Sequence, residues 1–439
     1  MRGIRATLAL MAAVSAPLAR ADGMLDPGFG TGGRVVTGFP GGFSTDEALS
    51  LAILPDGRIV AAGSTHVNLP NMYMAVARYL PTGALDPSFD GDGMVELPFL
   101  APPPNPDSGA EAWATLPQPD GRIVIVGGAA GAPAWVFALA RLNEDGSLDA
   151  TFGTGGKVTT SFPGVSVGVR AGLLQPDGRI VAVGRSSGLG FVAVRYDANG
   201  TLDPTFGSGG RLIVPLSGSL EVNDVVRQPD GKLVVAGTMP SGPFLARDFA
   251  LVRLLANGDL DPSFSGDGVV TADFGGIETG NSVIVLGDGR LVLAGSRGTE
   301  LPNTVTDFAI ARFLPDGALD TTFGTAGLAL LDSGEPEYAA QIVELPNGNL
   351  MLAGTTSSGG VSVDFILTRL LPGGTLDTSF GTDGFLRTDF TGGDTCNALV
   401  IAGPDRLLAA GSTGAFPADF GLARYIATTP VALQEFSVE

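Results

Sequence analysis

The chain has one cysteine, one histidine and, among 25 basic residues, only two lysines, Lys157 and Lys232. A disulfide framework needs at least two cysteines, so none braces this fold from within. His66 and Cys396 cannot by themselves furnish a Cys/His zinc site. Forty-five acidic residues against 25 basic ones give a formal charge of −20, which repels a phosphate backbone and argues against nucleic-acid binding. Only two tryptophans occur. Glycine, by contrast, is abundant at 66 of 439 residues, without the every-third spacing of collagen. The hydrophobic 44% is divided into strand-length pieces. After residue 21 no apolar run reaches the length of a membrane-spanning helix.

The first 21 residues read as an export signal. Arg2 and Arg5 precede an apolar stretch, Ala6–Leu18, and Ala19-Arg20-Ala21 fits the small-x-small rule for cleavage. Cleavage after Ala21 would start the mature chain at Asp22, with 22 basic and 45 acidic residues and a charge of −23. The expected location is the periplasm, the cell surface or the medium. A single unpaired Cys is compatible with such an oxidising compartment.

The rest of the chain repeats. Leu-Asp-x-x-Phe starts at Leu25, Leu85, Leu148, Leu202, Leu260, Leu319 and Leu376, with spacings of 60, 63, 54, 58, 59 and 57 residues. A second phrase runs LPDGRIVAAG at Leu54–Gly63 and QPDGRIVIVG at Gln118–Gly127, with looser copies down to AGPDRLLAAG at Ala402–Gly411. A third ends in Arg plus an apolar residue, as in Tyr73–Tyr79 and Asp419–Tyr425.

Each unit divides into four strands. Strand A, such as Ala48–Leu54, is nearly continuous in its apolar residues, which predicts burial on both faces. Pro-Asp-Gly makes a tight turn into strand B, Arg58–Gly63. A variable loop leads to strand C, Tyr73–Tyr79, and the Leu-Asp phrase leads to strand D, Met94–Leu97. Short strands at this spacing predict β-propeller blades.

The ends complement each other. The chain opens on a D-type strand, Arg34–Thr37, with no A, B or C before it. It closes on A, B and C strands (Asn397–Ala402, Arg406–Gly411, Phe420–Tyr425) with no D after them. The expectation is an all-β, seven-bladed propeller over 22–427, of ~58-residue repeats, closed three-plus-one by the N-terminal strand, with a tail over 428–439.

The phrases resemble the bacterial delta-60 repeat family, marked by units like LDPSFGxGG…QPDGKIVVAG…DFALARYxxDGSLD. Asn257-Gly258-Asp259-Leu260-Asp261 and Glu144-Asp145-Gly146-Ser147-Leu148-Asp149 are clear examples. The resemblance implies a β-propeller in an exported protein. It implies no established activity, catalytic residue or cofactor.

In a propeller the A–B and C–D turns share one face, and the B–C and D–A loops share the other. The stereotyped phrases fall on the first. The variable segments fall on the second, as in Thr65–Met72, Thr238–Arg247, Ser296–Thr306, Pro98–Ala110 and Asp332–Tyr338. Binding residues concentrate on variable loops carried by a rigid scaffold. The loop face is therefore the expected surface for a protein or glycan partner, with Met72, Trp135, Phe244, Glu300, Glu335 and Glu337 as candidate contacts. It is rich in acids, among them Asp46, Glu47, Asp107, Glu111, Glu278, Asp332 and Asp394. These suit a cation or basic partner, or simply keep the protein soluble.

The expected function is a non-enzymatic binding or scaffold module acting as a monomer, without catalytic residues or cofactor. The alternatives are a glycan-acting hydrolase or lyase with carboxylates at the channel mouth, and a passive envelope or matrix component. Asp90-Gly91-Asp92-Gly93 resembles half a calcium loop, so Asp90 and Asp92 are weak calcium candidates. The once-per-unit Arg of strand C and Asp of the Leu-Asp phrase read as architecture, since half-buried charges need partners. Gly28–Gly33 matches G-x-G-x-x-G, but a strand follows, so no helix N-terminus faces a pyrophosphate. Gly184–Gly188 matches G-x-S-x-G without a following helix or a nearby His. Cys396, near the start of an A strand, is expected to be buried and inert.

Overall fold

The computed structural model describes residues 22–40, 45–68, 71–99, 109–130, 134–186, 190–216, 220–242, 246–299, 306–358, 362–414 and 417–427. Among them every regular element is a strand, and no helix is long and apolar enough to cross a membrane.

Two short strands come first, β1 (Met24–Leu25) and β2 (Arg34–Thr37). Antiparallel ladders then follow in chain order. The first is β3 (Glu47–Ile53), β4 (Ile59–Asn68), β5 (Asn71–Tyr79) and β6 (Met94–Leu97). The second is β7 (Ala110–Pro117), β8 (Ile123–Ala130), β9 (Trp135–Leu142) and β10 (Lys157–Thr160). Next come β11 (Val167–Leu174), β12 (Ile180–Ser186), β13 (Phe191–Tyr196) and β14 (Arg211–Val214). Then come β15 (Glu221–Arg227), β16 (Leu233–Pro240), β17 (Arg247–Leu254) and β18 (Val269–Ala272). A single parallel bridge, Arg247 to Ile277, joins these to β19 (Ile277–Val285), β20 (Leu291–Gly298), β21 (Thr306–Phe313) and β22 (Leu328–Leu331). The chain continues through β23 (Glu337–Glu344), β24 (Leu350–Ser358), β25 (Ser362–Leu370) and β26 (Phe385–Thr388). It ends in β27 (Thr395–Ile401), β28 (Arg406–Thr413) and β29 (Asp419–Ile426), and β2 pairs with β29 from Arg34–Ala423 to Thr37–Phe420.

The Pro-Asp-Gly phrase makes the turn expected of it. The Gly57 N–H donates to the Leu54 carbonyl at 2.9 Å, and the Asp56 carboxylate accepts the Arg58 N–H at 3.0 Å. Gly57 has φ +84°, a region costly for residues with a Cβ.

The first strands of the ladders touch in sequence: β3 with β7, β7 with β11, β11 with β15, β15 with β19, β19 with β23, β23 with β27, and β27 with β3. The apolar core lies between neighbouring ladders. In one cluster Val60, Met74 and Val76 of the first ladder pack with Ile123, Ile125 and Ala140 of the second, all fully buried. Burying each Val or Ile contributes on the order of 1.5–3 kcal/mol, so the interfaces hold much of the stability.

One expectation needs correction. The first strands are not buried on both faces; β3 has three half-buried residues among its seven, whereas every residue of β8 is buried. The innermost strand has one face against the next ladder and one against the central channel. Strands flanked by neighbouring ladders have no such free face.

The Arg and Asp of each unit are architectural. Arg78 Nε donates to Asp86 at 2.8 Å, its guanidinium lies 4.5 Å from the Phe89 ring centre, and both ionic side chains are buried. The Asp86 carboxylate also accepts the Ser88 N–H at 3.0 Å. For the equivalent Asp203, burial opposes ionisation, but hydrogen bonds from Thr205 and Arg195 hold its pKa down to about 2. The same arginines reach forward: Arg141 donates to the Ala198 carbonyl at 2.5 Å and Arg312 to the Pro372 carbonyl at 2.5 Å. Arg424 of β29 donates to the Pro81 carbonyl at 2.5 Å, joining the last ladder to the first. Arg369 instead meets the Asp22 carboxylate at 2.6 Å. Asp22-Gly23 precede Leu25-Asp26 as Thr82-Gly83 precede Leu85-Asp86, so the segment before the first Leu-Asp phrase supplies this partner.

Candidate functional site

Each innermost strand breaks register once. The residues at the breaks are Leu49, Trp113, Arg170, Asn223, Asn281, Ala340 and Asn397. A bulge re-aims a side chain and frees backbone groups from the ladder, and all seven of these residues line the central cavity of about 420 Å³. The asparagines bridge forward: Asn223 donates to the Gly280 carbonyl at 2.8 Å, Asn281 to Ala339 at 2.5 Å and Asn397 to Ala48 at 3.1 Å. Asp224, beside one bulge, accepts the N–H groups of Val283 and Val225 at 2.9 and 2.7 Å. Burial nonetheless raises its pKa to about 6.

A second cavity of about 600 Å³ opens where the B–C and D–A connections gather, and Trp113 and Arg170 line both spaces. Its wall combines Glu47, Glu111, Trp113, Trp135, Arg170 and Arg185. Both tryptophans of the chain are therefore here. Trp113 Nε1 donates to Glu111 at 3.0 Å, and the Arg170 guanidinium lies 4.3 Å from the Trp113 ring centre. Trp135 lies across Gly128, where an added Cβ would stand 3.3 Å from the indole. Arg170 and Arg185 have no hydrogen-bond or ion-pair partner among the described residues. Burial, followed by the charge of Arg185, lowers the Arg170 pKa, while Glu111 and Glu221 oppose the shift. Glu47 moves the other way: burial raises its pKa, the Asn397 hydrogen bond at 3.0 Å opposes this, and Glu111 adds to it.

Carboxylates also converge around the same face. Asp248, Asp273 and Glu278, then Asp307, Asp332 and Glu337, then Asp364, Asp389 and Asp394 each bring three oxygens within 4.8 Å of one another. In two of these groups the buried member, Glu337 or Asp394, caps the turn that enters the innermost strand. Asp394 accepts the Phe390 N–H at 2.7 Å and the Thr413 hydroxyl at 2.6 Å, and Asp46 accepts the Phe39 N–H and Thr65 hydroxyl at 2.7 and 2.6 Å. Burial first, and then neighbouring carboxylates, raise Glu278 and Glu337 to about 7. These oxygens are of the kind calcium takes, although three side chains supply fewer than its usual six to eight ligands.

The sequence candidates scatter. Trp135 lines the mouth cavity. Met72 is half-buried and sits close to Gly109, with its Cε 3.2 Å from where a Gly109 Cβ would stand. Glu335 is half-buried; Glu337 is fully buried and accepts the Ser333 N–H at 3.1 Å, so it does not present itself to a surface partner. Phe244 and Glu300 lie outside the described residues. Asp92 accepts the Met94 N–H at 2.9 Å and Asp90 has φ +53°; among the described residues the carboxylate groups of three form elsewhere. Cys396 is buried, which pushes its thiol up to about 12. Ser186 donates to the Gly190 carbonyl at 3.0 Å, while His66 Nδ1 meets the Thr45 carbonyl at 3.0 Å. Sequence reasoning did not single out Trp113, Arg170 or Arg185. The scarcity of tryptophan was the available signal, but bringing positions 113 and 135 together required the pairing of ladders.

Six stretches match the model of a beta-propeller domain of unknown function, DUF5122: residues 54–89, 118–152, 175–206, 228–264, 286–323 and 345–380. No curated protein matches the chain. Among solved structures, a protein of unknown function from Dyadobacter fermentans is similar at 15% identity and TM-score 0.47, over 73% of this chain and 96% of that one. The beta-propeller domain of the Trilobed protease from Pyrococcus furiosus is similar at 10% identity and TM-score 0.45, over 88% and 98%. A polysaccharide lyase, an ulvan lyase of family PL25, is similar at 10% identity and TM-score 0.48, over 93% and 94%.

Proposed function

We propose that this β-propeller repeat protein is an exported, non-enzymatic binding module, a monomeric seven-bladed ring that holds its ligand at the channel mouth on the variable-loop face. Seven Leu-Asp-x-x-Phe phrases support the blade number. The pairing of Arg34–Thr37 with β29 supports three-plus-one closure. The leader-like residues before Asp22 support export. The observation that carries the binding role is the mouth cavity, lined by both tryptophans and by two guanidiniums unpaired among the described residues. Aromatic rings and arginines are the side chains most often at the centre of binding surfaces.

The test is retention of material from cell-envelope and extracellular fractions by the immobilised mature protein, beside a Trp135→Ala/Arg185→Ala double variant shown to be folded. The expected result is a ligand retained by the parent and lost by the variant. Equal retention by both would move the binding surface away from the mouth.

A second reading, a glycan-acting hydrolase or lyase, is favoured by Glu47, whose raised pKa and neighbour Glu111 are features of acid–base pairs. It predicts turnover of an acidic or neutral glycan that Glu47→Gln abolishes while binding persists.

A further inference from the structure

We infer that the mouth cavity takes a uronic acid unit of an acidic glycan. This rests on the mouth being the ligand site and names the chemistry it selects.

The argument starts from charge. The chain carries −20, yet two guanidiniums with no hydrogen-bond or ion-pair partner among the described residues line one cavity of about 600 Å³. Arg170 has been drawn out of water against Trp113, and the charge of Arg185 adds repulsion. The half-buried Arg170 and the exposed Arg185 are like charges on one cavity wall that an anion stabilises, and the planar fork of arginine matches a carboxylate bidentately.

The acids of the same lining limit which anion. Glu47 and Glu111 face the same space, and each uses one carboxylate oxygen on a protein donor, Asn397 and Trp113 Nε1. Their remaining oxygens accept hydrogen bonds but repel further negative charge. A multiply charged phosphate group meets this repulsion in full, whereas a singly charged carboxylate on a ring bearing hydroxyls does not. Its hydroxyls donate to Glu47 and Glu111 while its carboxylate faces Arg170 and Arg185. Trp135, spread over Gly128, offers an aromatic surface for the C–H face of a sugar ring. An aromatic carboxylate would satisfy the arginines and the indole but leave the two glutamates without donors. A cavity of this size accommodates one or two sugar rings.

Because both tryptophans line the cavity, intrinsic tryptophan fluorescence reports this site without a label. The experiment titrates the full mature chain with oligogalacturonate and oligoglucuronate. Matched neutral oligosaccharides, benzoate and inorganic phosphate serve as the other arms. Arg185→Gln, at an exposed position, and Arg170→Met are titrated beside it after circular dichroism. The expected result is a saturable change with uronates, weakened about tenfold or more by either substitution and weakened by raised salt. The neutral sugars, benzoate and phosphate should give no saturable change.

Equal binding of neutral oligosaccharides, or unchanged affinity in both arginine variants, would overturn the anionic class while leaving the mouth as the ligand site. Binding of benzoate or phosphate without uronates would overturn the sugar assignment. Silence with every ligand would overturn this inference, and retention by the Trp135→Ala/Arg185→Ala pair would still judge the broader reading separately.

Discussion

In the proposed ring, Asp26 joins the chain's beginning to its end. It is 2% exposed, and its Oδ2 accepts Arg406 Nε at 2.8 Å and Arg424 Nε at 3.0 Å, while Oδ1 accepts the Gly28 N–H at 3.0 Å. Asp26→Ala takes the shared carboxylate from two guanidiniums whose side chains are 18% and 16% exposed, leaving Arg406 with Asp405 and Arg424 with the Pro81 carbonyl. Breaking a fully buried pair costs about 3–5 kcal/mol, and the partial exposure of both arginines reduces this to about 2–3 kcal/mol. Because β1 and β2 are held in the sheet through β29, the cost falls first on their detachment from it. Amide exchange in Arg34–Thr37 should accelerate on the order of 30- to 100-fold, read by hydrogen-exchange mass spectrometry. Asp203→Ala breaks the same chemistry inside a continuous ladder, so it should lower global stability in urea without selectively opening β2. Equal protection of Arg34–Thr37 in the two variants would refute the latch. The acid dependence has a definite sign. Burial opposes ionisation of Asp26, but the Gly28 N–H and the two arginines lower its pKa overall. Its contribution is therefore present above the unfolded value of about 3.8 and disappears as pH falls through the lower folded value.

Glu278 should act in the opposite direction. Its folded pKa, about 7, exceeds the ordinary 4.5, so its contribution to stability is full below 4.5 and lost as pH rises to about 7. Asp273→Asn removes one cause of the shift and should flatten the decline in melting temperature across pH 5–7, by on the order of 1 kcal/mol; an unchanged profile would contradict the assignment. Gly128→Val should displace Trp135 and weaken any ligand of the mouth several-fold, at a cost of about 1–3 kcal/mol in urea unfolding; unaltered affinity would show that Trp135 is not a contact. Cys396 should resist a thiol reagent in the native protein and react promptly after unfolding, because its thiol is buried with a pKa near 12. Prompt native labelling would argue against the packing of β27.

Much of the architecture was readable because it is local. Pro-Asp-Gly forces its turn within four residues, and Leu-Asp-x-x-Phe carries its own Asp86-to-Ser88 hydrogen bond, so each copy reports the same geometry wherever it occurs. The expected strands at Met94–Leu97 and Arg34–Thr37 match the observed ones in full, and strands B and C were found but proved longer, reaching Asn68 and beginning at Asn71. The architectural role of the repeated Arg and Asp followed from the demand that half-buried charges find partners.

The mouth was not readable in the same way. Trp113 and Arg170 stand at bulges, and a bulge depends on how two strands slip against each other rather than on either strand's composition. Trp135 was singled out as a loop aromatic, but its companions come from other strands of its own ladder and from the ladders on either side. Glu337 was expected as a surface contact because it falls in a variable loop; a tight turn draws it inward to cap the Ser333 N–H. Repetition along the chain determined the units and their turns, since those depend on neighbours a few residues away. Only tertiary packing decided which unlike residues from different units share one cavity, because that convergence belongs to the arrangement of ladders around the channel and has no period in the sequence.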